Sequence, residues 1–232
     1  MYSMQGIVRK SVSNVTTQFE KLGYVANNLA NMNTKGYKTV TFEQMLNEDG
    51  YLTGAIRTET RQGSIQVTSN PYDVAIDGTG YIPVVSPEGE VAYTRDGAFK
   101  QGKDGYLVTT DDWIVGEGIK IPANCYKFEI KPNGEVYSYD AANTKPKKLG
   151  TIPLVRFASQ ENLEQRGMNK LVATTDSGDP MLVRNHNCFC QNNIENSNTN
   201  IYSSTSDMLR LNASLLASTR MMKVVDDMYN KA

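Results

Sequence analysis

Apolar residues recur at Val8, Val12, Val15, Phe19, Leu22, Ala26 and Leu29, in steps that alternate between three and four. That spacing marks one face of a helix and predicts a single helix from residue 2 to about 31. Its opposite side carries Arg9, Lys10, Asn14, Gln18 and Lys21. Gly23 costs roughly 1 kcal/mol relative to Ala in a helix interior, and is either simply tolerated or lets another helix approach. The stripe runs into Asn27, Asn28, Asn31 and Asn33, followed by Gly36. Asn and Gly accept the left-handed backbone that ends helices. Asn31, Asn33 and Gly36 are therefore the predicted helix-to-strand elbow, with Gly36 the position expected at positive φ.

No long helical stripe returns until about Ser203. From there Met208, Leu211, Leu215, Met222, Val225 and Tyr229 follow a heptad-like seam with Ser218 in its middle, widened by Leu209 and Leu216. Ser206 is the expected N-cap, and Asp207 suits the first turn. Two helices with apolar stripes need partners, so they are expected to pack on each other and on neighbouring subunits. The assembly interface predicted on this basis is Val8, Val12, Val15, Phe19, Leu22 and Leu29, facing Met208, Leu211, Leu215, Met222 and Val225.

Between the helices the period changes. Residues 36–72 read as an extended connector, with Phe42, Met45 and Leu46 suggesting a short amphipathic turn. Gly63–Thr68 alternates as a strand does. From 73 to 192, short strand-like runs are punctuated by Glu88-Gly89, Asp96-Gly97, Asp104-Gly105 and Asn133-Gly134, pairs that favour close hairpins. Predicted strands are Tyr81–Val85, Val91–Thr94, Tyr106–Thr109, Phe128–Lys131, Glu135–Tyr139 and Gly150–Phe157, and the basic stretch 143–148 reads as a solvated loop. The fold class is α+β. It consists of an antiparallel, sandwich- or barrel-like central domain with N- and C-terminal helices packing as a coiled coil. The implied divisions are 1–35 (helix), 36–72 (connector), 73–192 (β domain), 193–202 (linker) and 203–232 (helix).

Composition narrows the function. The 232 residues carry 24 Lys+Arg against 25 Asp+Glu, so no basic surplus points to nucleic acid or to a membrane surface. No apolar run reaches the roughly 18 residues of a membrane span. The opening Met1-Tyr2-Ser3-Met4-Gln5-Gly6 lacks the pattern of a cleaved secretory signal, which predicts either retention or uncleaved export.

One His and three Cys leave little for catalysis or metals. His186, Cys188 and Cys190 form the most suggestive cluster, but they supply too few ligands for zinc and no orienting residue for a Cys–His nucleophile. Gly78-Thr79-Gly80 lacks the helix of a phosphate loop. The adjacent pairs Asp111-Asp112 and Asp226-Asp227 point apart and read as solvated surface. No catalytic residue, cofactor, metal or small-molecule substrate is assigned.

Five segments resemble the bacterial flagellar rod and hook family, in order. They are Asn27-Asn28-Leu29-Ala30-Asn31 with Asn33-Thr34-Lys35-Gly36-Tyr37-Lys38; Asp73-Val74-Ala75-Ile76 with Gly78, Gly80 and Tyr81; Tyr93-Thr94-Arg95-Asp96-Gly97-Ala98-Phe99; Gly105-Tyr106-Leu107-Val108-Thr109; and Ser197-Asn198-Thr199-Asn200-Ile201. One departure is Asn212-Ala213-Ser214-Leu215-Leu216, where the family's last helix carries Gln-Arg-x-Tyr/Phe-Glu. Met208 and Asp226 keep the family register. The length resembles a rod protein more than a hook protein, with proximal and distal subtypes both open. The resemblance implies a non-enzymatic basal-body rod subunit, exported uncleaved through the flagellar type III apparatus into the cell envelope. It would stack with itself and with other rod and hook axial proteins into a helical shaft. The alternative is an extracytoplasmic β-domain binding module on a helical oligomerisation stalk.

Overall fold

The computed structural model describes residues 4–48, 52–140, 143–167 and 169–229. In chain order the elements are α1 (Met4–Ala30), β1 (Val40–Leu46), β2 (Leu52–Thr58), β3 (Ile65–Val67), β4 (Val74–Ile76), β5 (Ile82–Val85) and β6 (Val91–Thr94). There follow β7 (Lys100–Gln101), β8 (Leu107–Val108), β9 (Ile114–Val115), β10 (Cys125–Ile130), β11 (Glu135–Asp140) and β12 (Asn143–Thr151). The remainder are β13 (Val155–Arg156), β14 (Glu164–Gln165), β15 (Lys170–Val172), β16 (Met181–Leu182), β17 (Phe189–Gln191), β18 (Asn193–Glu195) and α2 (Ile201–Tyr229). Two helices with many antiparallel strands make the chain α+β with a β-rich part.

The chain forms two compact units. The first joins 1–32, 39–59 and 199–232; the second joins 33–38 and 60–198.

In the first unit α1 lies against α2 and against the β1–β2 hairpin. Along α2, Ser204, Leu211 and Leu215 are buried and Met208, Ser218, Met222 and Val225 half-buried. Those positions step alternately by four and three, the period of a face turned to one neighbour. The hairpin replaces the amphipathic turn expected near Phe42. Val40 and Phe42 are buried on the inner face of β1, and the Phe42 ring stacks on Tyr24 of α1 at 5.5 Å. β-branched and aromatic residues on alternate positions favour the pleat over a helical turn. The N-cap of α2 is Asn200 rather than Ser206. Its Oδ1 accepts hydrogen bonds from the backbone N–H of Tyr202 (2.9 Å) and Ser203 (3.3 Å), so the helix starts earlier than Ser203.

In the second unit a seven-stranded antiparallel sheet runs β14-β15-β6-β5-β9-β8-β7, and a three-stranded sheet runs β10-β11-β12. Two-stranded pairings β13-β16, β17-β4 and β18-β3 complete it. One apolar core is shared by both larger sheets: Ile82, Val84, Leu107 and Val115 from one, Phe128, Ile130 and Val136 from the other, with Ile152, Leu154 and Phe189. A smaller cluster joins Tyr81, Tyr93, Val155, Phe157, Leu163 and Leu171. The stretch 143–148, expected as a loop, belongs to β12. It is an outer strand whose exposed Lys145, Lys147 and Lys148 face water, which is where a charge-rich, Pro-bearing strand is tolerated.

Candidate functional site

The most concentrated polar chemistry lies where the ends of the second unit's segments converge. Glu195 closes β18 and is 1% exposed. Its Oε1 accepts from Lys38 Nζ (2.6 Å) and from the Gly63 backbone N–H (2.9 Å), and its Oε2 accepts from Arg95 Nε (2.7 Å). Lys38 Nζ also donates to the Arg61 carbonyl (2.8 Å). Arg95 spends its remaining donors on carbonyls: Nη1 on Gly80 (2.9 Å), Nη2 on Gly78 (2.9 Å) and Ile76 (3.2 Å). Lys38 and Arg95 are buried as well. Two cations share one carboxylate out of water, a costly arrangement tolerated only with every donor and acceptor satisfied. Burial raises the nearby Tyr81 hydroxyl above the ordinary tyrosine range, against the lowering pull of Arg95.

Backbone contacts knit the same place. The Gly36 N–H donates to the Glu195 carbonyl (2.8 Å), and the Asn198 N–H to the Tyr37 carbonyl (3.3 Å). Asn198 Nδ2 donates to Arg61 O (2.9 Å), and Lys35 Nζ to Asn196 Oδ1 (3.3 Å). Gly36 has φ +67°, and a Cβ there would come within 2.6 Å of the Arg95 and Asp96 backbone. A Cβ at Gly63 would come within 2.0 Å of the Asn196 carbonyl. Both glycines are needed because backbone passes backbone at contact distance.

A second device sits in the first unit. Asn28, 5% exposed, donates from Nδ2 to Val40 O (2.7 Å) and accepts at Oδ1 from Val40 N (2.9 Å). Its amide thus pairs with the first residue of β1 as a neighbouring strand would. Beyond it, Asn31 Nδ2 donates back to the Asn27 carbonyl (2.9 Å), and Asn33 is exposed.

Of the residues expected at an assembly interface, Val12 (52%) and Phe19 (59%) are exposed, while Val15, Leu22 and Leu29 are half-buried. The side chain of Val8 lies outside the described residues. On α2, Leu211 and Leu215 are buried, and Met208, Met222 and Val225 half-buried, on the seam described above. The large exposed apolar groups of α2 are instead Ile201, Tyr202, Leu209, Leu216, Met221, Val224 and Met228. Gly23 is exposed, and a methyl group added to it would meet nothing within 4 Å.

Asp111 is not the free surface carboxylate expected. It takes a hydrogen bond from the buried Lys170 ammonium, which also lies 4.7 Å from the Trp113 ring, and another from Thr109 Oγ1 (2.8 Å). Burial pushes its carboxyl up, but these hydrogen bonds prevail and hold it below the usual aspartate range. Asp112, at φ +66°, pairs with Lys100 at 2.9 Å. Cys188 Sγ lies 3.6 Å from His186 Nδ1; burial raises the thiol and lowers the imidazole from their ordinary values. Among the described residues, no three His, Cys, Asp or Glu side chains are arranged to hold a metal ion. Nor is any helix among them long and apolar enough to cross a membrane.

Sequence reading passed over Asn28, Lys38, Arg95 and Glu195 as functional residues. The available signal was a charge or amide inside each resembling segment or beside one, at places where a solvated loop needs none.

The deepest charges of this β-rich α+β chain hold its own segments together. Residues 75–138 match the flagellar hook protein FlgE/F/G D1 domain, and residues 16–38 match the flagella basal body rod protein family. The second match ends on Lys38. The chain is 32% identical to a flagellar basal-body rod protein FlgG of Caulobacter vibrioides, over 74% of this chain and 75% of that protein. It is 34% identical to one of Bacillus subtilis, over 68% and 69%. It is also 36% identical to a flagellar hook protein FlgE of Brucella abortus, over 50% of this chain and 32% of that one. The chain belongs to the flagellar basal-body rod protein family.

Proposed function

We infer that this chain is a structural subunit of the flagellar basal-body rod, stacking with its own copies and with other axial proteins of rod and hook into a helical shaft. Heterologous contacts that do not close generate such tubes. The carrying observation is the set of apolar side chains left in water on both helices: Val12 and Phe19 on α1, with Leu209, Leu216, Met221 and Val224 on α2. A helix apolar on several sides is built to be covered on several sides.

On this reading the buried seam of α2, Leu211 and Leu215 with Met208, Met222 and Val225, joins α1 in a coiled-coil pair within the subunit. The exposed stripes then meet neighbouring subunits. Asn31, Asn33 and Gly36 form the elbow through which the chain leaves α1. Export through the flagellar type III apparatus, a place across the periplasm and a role without catalysis complete the proposal. Deleting the gene should remove hook and filament together, and imaging of purified basal bodies should show the protein in the rod. Intact hooks and filaments in the deletion strain refute it. Changing Phe19 or Leu216 to Glu should shorten or abolish rods while leaving the monomer's thermal midpoint within about 2 °C, since both are exposed.

A further inference from the structure

We propose that Glu195 is the lock of a local opening unit, in which residues 35–38, 61–64 and 195–198 open and close together, separately from the β core. The chain passes between its two compact units at 32/33, 38/39, 59/60 and 198/199. Each passage is flanked, on the side of the second unit, by a segment that ends on this one carboxylate or on a residue bound to it. Lys38 and Gly63 bind Oε1 directly, and Gly36 binds the backbone carbonyl of the same residue. Asn198 is tied to Tyr37 and Arg61, and Asn196 N–H to Ser64 O at 2.9 Å.

These links are polar and run between segments with few large apolar side chains. The apolar core, by contrast, is made by residues such as Val84, Leu107, Val136 and Ile152. Groups held by a shared ionic contact rather than by core packing form a cooperative unit of lower stability than the core. Glu195 is the carboxylate that Lys38 and Arg95 share, one on each oxygen. Removing its charge takes from two buried cations the carboxylate they share, so the three segments release together.

The wild-type protein provides the first test, by native-state amide exchange. The Gly36, Gly63 and Asn198 amides are expected to exchange with one opening free energy and one denaturant slope, below those of Val84 and Ile152. Unrelated slopes, or exchange only through global unfolding, overturn the proposal. The second test is limited trypsin cleavage at Arg61–Gln62. Glu195→Gln should speed it at least tenfold with core-amide exchange unchanged. Adding Lys38→Met, which removes one of the two cations that shared the carboxylate, should bring the rate back to within about threefold of wild type. An unchanged rate in Glu195→Gln, core exchange accelerating in parallel, or no recovery in the double variant each overturns the assignment.

Discussion

Gly36→Ala isolates what the turn before Lys38 demands of its backbone. At φ +67° an L-residue other than Gly or Asn is disfavoured by about 1–2 kcal/mol. The new methyl also falls within 2.6 Å of the Arg95 carbonyl carbon and the Asp96 nitrogen, atoms of main chain that cannot rotate away. Relief requires the 35–37 turn to back off, which strains the Gly36 N–H bond to Glu195 O; overpacking of this kind costs about 1–3 kcal/mol.

The sum, about 2–5 kcal/mol, corresponds to a thermal midpoint lower by roughly 5–15 °C in a chain of this size. Gly167→Ala is the control, because φ is +51° there and nothing lies within 4 Å of its added methyl. It should lose only the backbone share, about 1–2 kcal/mol. Gly36→Asn should fall between the two, since Asn tolerates the left-handed region but still carries a Cβ. Urea unfolding midpoints of the three variants, read by tyrosine fluorescence, provide the measurement. If Gly36→Ala and Gly167→Ala agree within about 0.5 kcal/mol, the contact with Arg95 contributes nothing and the reasoning fails.

Asn28→Ala leaves the buried N–H and C=O of Val40 without their partners and should cost about 2–4 kcal/mol in urea unfolding. A loss under about 0.5 kcal/mol would show that water or a neighbour replaces the amide. Gly23→Ala adds a methyl in open space inside α1 and should raise the midpoint by about 0.5–1 kcal/mol equivalent, checked by the same titration. Glu135 is held at a pKa of about 2 by hydrogen bonds, first from Lys148 and then from Asn133. A depressed carboxylate stabilises the fold above its unfolded value and loses that contribution as pH falls toward 2. Carbon-detected NMR should place its midpoint there, and Lys148→Met should raise it part of the way toward the ordinary glutamate range, the Asn133 bond remaining. Asp96 is shifted the other way, raised mainly by burial, so its charged form is penalised in the folded state as pH rises through that raised value. Asp96→Asn, which keeps an oxygen for the Ala98 N–H, should therefore gain stability at pH 7 and gain nothing at pH 3, measured by thermal unfolding at both.

Strong periodicity was legible wherever it decided burial. The two helices and strands such as Val91–Thr94 carry their own period, and local rules suffice for them. Where partners decided, sequence was silent. Phe42 becomes a strand residue because Tyr24 and Ile56 lie across from it, and neither is a local neighbour. Lys145–Lys148 looked like a loop because charge usually means water; an outer strand satisfies that charge equally well. The Glu195 network was hidden for the same reason. Lys38, Arg95 and Glu195 each resemble an ordinary surface charge, and only the tertiary fold brings them together. The exposure of Phe19 against the burial of Leu211 was likewise invisible, since both sit on well-formed apolar stripes.

The Glu195 network also fixes a sequence in time. Glu195 lies 157 positions after Lys38 and 100 after Arg95. In a chain that emerges N-terminus first, both cations and the turn at Gly36 are present long before the carboxylate they close upon. Closing loops of that length costs entropy that is repaid only when the final contact forms. Until Glu195 arrives, the segments around Lys38 and Arg61 have no stable resting place, while hairpins such as β5–β6 and β10–β11 can form from neighbours already made. The second unit therefore closes at its last strand: a chain stopped short of residue 195 retains local hairpins but cannot close the network of Lys38 and Arg95.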